Sequence, residues 1–68
     1  MNRNLKGYRT MLGMTQTEMA KKIGMVLSTY SFKETGKADF TQTEMEDIKK
    51  IINEKYPELT TDEIFLRT

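Results

Sequence analysis

Three candidate helix starts in this 68-residue chain carry a threonine followed, three positions later, by a glutamate: Thr15-Gln-Thr-Glu18, Thr41-Gln-Thr-Glu44 and Thr60-Thr-Asp-Glu63. At that spacing the threonine hydroxyl accepts from the backbone N–H of the glutamate, and the carboxylate reaches back to the threonine's own N–H. Two donors that every helix start leaves unpaired are thus satisfied together. Each box fixes a helix start and argues against a strand at that point. The stops are marked as well. Gly13, Gly24 and Gly36 stand where helices end in a left-handed residue, which glycine adopts without a Cβ clash. Pro57 disfavours a helical conformation at the residue before it.

These marks bracket five helices and no strand, so the spacing predicts an all-α bundle with one domain over residues 1–68. The first helix runs from about residue 4 to residue 12, with Leu5, Tyr8 and Leu12 on one face. The second starts after Thr15 and ends at Ile23, with Met19, Ala20 and Ile23 as its apolar stripe; the small Ala20 lets another helix approach. A turn of about three residues leads to the third, from about residue 27 to residue 35. Phe40 is an apolar plug in the connector over residues 37–41. The fourth helix starts after Thr41 and presents Met45, Ile48 and Ile52, with Ile51 on the flank, as far as about Tyr56. The last is short and runs through Ile64 and Phe65. Thr41–Glu44 repeats Thr15–Glu18 letter for letter, but the residues that follow diverge, so the repeat is two independent helix starts and not a duplication.

Composition narrows the chemistry. The chain has no cysteine and no histidine, which excludes disulfides and Cys/His zinc sites and removes the commonest general base. Ser28 and Ser31 therefore have no base to activate them, and Glu44, Glu46 and Asp47 sit in the first turn of a helix, where negative charge suits the dipole. Neither an enzyme nor a cofactor is expected. The six methionines fall mostly at core spacing and read as packing. Nothing in the sequence matches a signal peptide, and no run approaches the ~20 apolar residues of a membrane span, so a cytoplasmic location is expected. A chain this short buries only about 60% of its unfolded surface, which makes self-association favourable. Residues 1–40 carry seven Lys/Arg against three Asp/Glu (+4), and residues 41–68 carry four against seven (−3), giving the overall +1. A basic first part suits a polyanion.

Residues 5–40 resemble the phage-repressor-like helix-turn-helix family, also called the xenobiotic-response-element family, a lambda-repressor-like fold. The matching residues are Leu5, Arg9, Gly13-Met14-Thr15-Gln16, Glu18, Ala20, Ile23-Gly24, Ser28-Thr29-Tyr30-Ser31 and Glu34-Thr35-Gly36-Lys37. The segment Tyr30-Ser-Phe-Lys-Glu-Thr-Gly-Lys37 with Phe40 looks like a subgroup of small repressors of phages and prophages. The resemblance places the helix-turn-helix at the second and third helices (residues 15–36). It implies binding to double-stranded DNA, with Gln16, beside the cap Thr15, and Lys37 at phosphates. Arg9 and Glu34 would bridge the first and third helices without reading a base. Leu27, Ser28 and Phe32 fall on positions that reach base edges, with Val26, Thr29, Ser31 and Thr35 nearby, and Tyr30 on the buried side.

The chain departs from the family at Met25-Val26-Leu27, where relatives carry a Ser or Thr cap and a polar residue. Leu27 and Phe32 are apolar where bidentate polar contacts would be made, although apolar side chains also pack on thymine methyl groups. Three readings stay open for Val26, Leu27 and Phe32: DNA readout, a surface for a protein partner, or burial through a rotated third helix. The expected function is a dimeric repressor on a palindromic operator with half-sites about 34 Å apart. The alternative is a protein-interaction regulator of the anti-repressor or antitoxin type. For the dimer surface the candidates are Leu59, Ile64, Phe65 and Leu66 in residues 57–68, and the competing reading docks the last helix onto the chain's own core.

Overall fold

Each threonine–glutamate box closes in both directions. Thr15, Thr41 and Thr60 accept through their hydroxyls from the backbone of Glu18, Glu44 and Glu63, and their own N–H groups donate to those carboxylates at 2.8–2.9 Å. The structure, a computed structural model, describes residues 4–65. Its helices are α1 (Leu5–Met11), α2 (Gln16–Lys22), α3 (Leu27–Glu34), α4 (Gln42–Asn53) and α5 (Thr61–Ile64), with no strand among the described residues.

The first three helices end in one and the same way. Behind α2, the N–H of Met25 donates back to Ala20 and that of Gly24 to Lys21. The same paired bonds run from Met14 and Gly13 to Arg9 and Thr10 behind α1, and from Lys37 and Gly36 to Phe32 and Lys33 behind α3. This double closure satisfies carbonyls that a helix end leaves open, and it needs a left-handed residue. Gly24 supplies it at φ 71°, and a Cβ added there would meet nothing within 4 Å. The backbone angle alone therefore selects glycine.

The end of α4 differs from the expectation set by Pro57. The helix stops at Asn53, three residues earlier than predicted; the N–H of Tyr56 still donates to Ile52 at 2.9 Å, and the Asn53 side-chain amide holds the segment that follows through the carbonyls of Tyr56 and Leu59 at 2.9 and 3.1 Å. At the other end of the chain, Asn4 does not cap α1; its amide donates to the carbonyl of Glu63, tying α1 to α5.

The core collects residues from all five helices: Leu5, Met19, Ala20, Tyr30, Ile48, Ile52 and Ile64, together with Phe40 and Phe65. Phe40 is the expected plug. Its ring lies 5.8 Å from that of Tyr30 and 5.5 Å from that of Phe65, both at tilted angles that suit aromatic quadrupoles. Ile64 and Phe65 correct the expectation of a dimer surface: at 0% and 5% exposure they are consumed by docking α5 on the chain's own core. A chain with so little interior spends such side chains on itself first. Leu59 is half-buried against the same core, and Leu66 lies outside the described residues. No helix among the described residues is long and apolar enough to cross a membrane.

Candidate nucleic-acid interface

Packing between α2 and α3 presents a helix pair whose two sides have opposite chemistry. Successive helical residues turn by about 100°. Tyr30 and Glu34, one turn apart, define the inner side of α3, and Phe32 lies roughly opposite them.

The inner side is polar. Arg9 of α1 donates from Nε and Nη2 to the two carboxylate oxygens of Glu34, both at 3.0 Å, and from Nη1 to the carbonyl of Met14 at 2.7 Å. Gln16, at the first position of α2, donates its amide to Glu34 Oε1 at 3.0 Å, and the Tyr30 hydroxyl donates to Oε2. Arg9 and Glu34 are both buried, and among the described residues no buried side-chain polar atom lacks a partner. Burial alone would push the Glu34 carboxyl up, but the bonds from Arg9, Tyr30 and Gln16 outweigh it and hold the carboxyl below the usual range. The Arg9 guanidinium is raised in turn, first by its bond to Glu34. Burial, and then the adjoining Glu34 carboxylate, push the Tyr30 phenol well up, so the hydroxyl remains a donor. One carboxylate therefore joins α1, α2 and α3, and Arg9 ties in the turn after α1. Two bonds from Arg9 of α1 and one from Gln16 of α2 fix the orientation of α3, and the Tyr30 hydroxyl adds one within α3 itself.

The outer side is apolar and open. Opposite the cluster Phe32 is 52% exposed, and where α3 begins, one turn before Tyr30, Val26 is 69% and Leu27 43% exposed. That removes the reading in which a rotated third helix buries them. Ser28, Thr29 and Thr35 are exposed beside them, and Ser31 is half-buried at the edge. Ser28, Thr29 and Phe32 share a shallow depression with Lys33 and Ala38. Val26 stands at the N-cap in extended conformation without a side-chain cap bond, as the missing Ser or Thr implied.

Cations frame this face. Lys37 is brought back onto α3 by its backbone bond to Phe32, and its Nζ lies 5.7 Å from the centre of the Phe32 ring, within cation–π range. Lys33 turns away and donates to Glu44 at 2.8 Å, so it fastens α3 to the start of α4. There Glu44 serves both the Thr41 box and Lys33; burial opposes its charge, but the bond from Lys33 and then that from Thr41 hold its carboxyl low. Lys21 and Lys22 are exposed at the end of α2, and Thr15 is exposed at its start.

The sequence predicted the pairing of Arg9 with Glu34 and the inward turn of Tyr30, and the structure brings these together. It did not predict that Gln16 and the Tyr30 hydroxyl join the same carboxylate. The four-residue spacing from Tyr30 to Glu34 was the available signal for the second. The bond from Gln16 crosses eighteen positions and has no local signature. Lys33 with Glu44 was likewise missed.

Set against known proteins, residues 5–59 match the family described as helix-turn-helix, which is most of the chain. Neither the curated proteins nor the solved structures give a match.

Proposed function

The chain belongs to the helix-turn-helix family, of the Cro/C1 type found in DNA-binding transcription regulators, and from that premise we propose that it is a repressor of the small phage or prophage kind. It binds a palindromic operator as a homodimer and acts by covering promoter sequence. The single observation that carries this reading is the seating of α3. A helix held on its inner side by one buried carboxylate, with its outer side left exposed, is built to be presented to something. In a major groove that outer side meets base edges through Val26, Leu27, Ser28, Thr29, Phe32 and Thr35, with Ser31 at the margin.

Thr15 and Gln16 at the start of α2, and Lys37 behind α3, flank the groove at phosphates. One N–H of the Gln16 amide is taken by Glu34, and a primary amide has a second to give. Leu59 and residues 57–68 remain the proposed dimer surface, now without Ile64 and Phe65.

Selection of duplexes from a random library by the purified protein, at two salt concentrations, tests the proposal. Enrichment of a two-fold-symmetric site is expected, with affinity falling as salt rises because phosphate contacts release counterions. Weak binding with no enriched site would overturn it. The exposed apolar trio Val26, Leu27 and Phe32 favours a second reading in that event: a regulator of the anti-repressor or antitoxin type that binds a protein through the same face.

A further inference from the structure

Resting on the DNA-binding reading above, we infer that α3 reads the C5 methyl group of major-groove pyrimidines, and that it does so whether thymine or C5-methylated cytosine carries it. The inference follows from what the outer face has and what has been taken from it. Discrimination between base pairs by hydrogen bonding uses side chains with fixed donor and acceptor patterns, above all guanidinium and amide groups. The exposed surface of α3 carries hydroxyls and hydrocarbon: Ser28, Thr29 and Thr35 beside Phe32, with Val26 and Leu27 exposed where the helix begins.

The longer polar groups nearby are engaged elsewhere. Gln16 is oriented by Glu34, and Lys33 donates to Glu44. A hydroxyl rotates to donate or to accept, so it meets the carbonyl of thymine and the amino group of cytosine equally well. What remains to distinguish one pyrimidine from another is the methyl group, which projects into the major groove at the same ring position in both.

Phe32 is set up for that contact. It lies at the middle of the outer face, and Lys37 is held over its ring by the backbone closure that ends α3. The same ammonium is placed for a neighbouring phosphate, so backbone contact and methyl contact are made by one coupled pair of side chains.

The test changes the DNA and leaves the protein intact. In the enriched site, each thymine is replaced singly by uracil, which deletes the methyl and nothing else; selected positions are also made cytosine and C5-methylcytosine opposite guanine. Affinity is measured by fluorescence anisotropy. At the positions facing α3, uracil is expected to bind about fourfold more weakly than thymine, the worth of one buried methyl-sized group. C5-methylcytosine is expected to exceed cytosine by a similar factor. Phe32→Ala is expected to erase the difference between thymine and uracil, with an unchanged circular dichroism spectrum showing that the fold is kept. Equal binding of thymine and uracil at every position, or of the two cytosines, overturns this inference and leaves the repressor reading standing. No binding to any duplex overturns both.

Discussion

The two sides of α3 invert the ordinary arrangement of a surface helix. Its inner side holds a charged carboxylate, a guanidinium and a phenol, while a phenylalanine is exposed opposite them and a leucine and a valine are exposed where the helix begins. Oil usually faces in and charge faces out. The difference teaches what each chemistry is good for. A buried, fully bonded polar cluster adds little net stability over apolar packing, yet it tolerates only one geometry. Exposed apolar area costs solubility and has no role in holding the helix. In α3, polar groups set direction and apolar groups make contact.

The sharpest break of that comparison is Glu34→Ala, which strands the Arg9 charge in the interior. Removing one partner of a buried pair costs about 3–5 kcal/mol. For a domain this small the melting midpoint is expected to fall by on the order of 20 °C, read by circular dichroism. A drop of only a few degrees would mean that the cluster does not hold α3. Replacing the pair together, Arg9→Met with Glu34→Leu, sharpens the point: most of the midpoint should return while DNA affinity stays low.

Acid attacks the same cluster from another direction. The folded Glu34 carboxyl lies below its ordinary value, so the stability it contributes is full above the unfolded carboxylate range near pH 4.3 and is lost as pH falls through the lower folded value. Melting midpoints should hold steady from neutrality to that range and decline beneath it. Glu34→Ala should flatten the decline, and an unchanged slope would exclude Glu34 as its source.

On the outer side the expected effects move from folding to binding. Phe32→Asp should shift stability by less than about 0.5 kcal/mol, as exposed positions do, yet weaken operator binding roughly thirtyfold through lost packing. Equal losses of fold and affinity would show that Phe32 supports the core after all. The smallest expected change is that of Lys37→Gln. It should weaken binding to every duplex alike and reduce the salt slope by about one per protomer, measured from affinity against ionic strength.

Most of the frame was legible because its determinants are local. A capping box spans four residues and a glycine stop spans six, so Thr15, Thr41, Thr60, Gly13, Gly24 and Gly36 announced the helix ends without knowledge of the fold. Tyr30 was assigned to the interior through the family resemblance, on the side away from the exposed stripe. What stayed hidden involves either partners far apart in sequence or local side-chain bonds to the backbone. Gln16 reaches Glu34 across two helices, and Lys33 reaches Glu44 across a connector. The amide of Asn53 reaches forward to Tyr56 and Leu59 and holds the turn that follows α4. Ile64 and Phe65 looked like surplus hydrocarbon in a short tail, and only the fold reveals the gap that they fill. The outer face of α3 was read correctly as unusual, but exposure had to be seen before burial could be set aside.

Tyr30, Phe40 and Phe65 form a train of three rings that runs from the underside of α3, through the connector, to the residue that closes α5. Its end rings belong to the presented helix and to the last described turn of the chain. Clipping α5 away would uncover Phe40 and withdraw support from Tyr30, one of the four donor groups steadying Glu34. The far end of this molecule is thus a keystone: a nick there would be felt at the face offered to the groove.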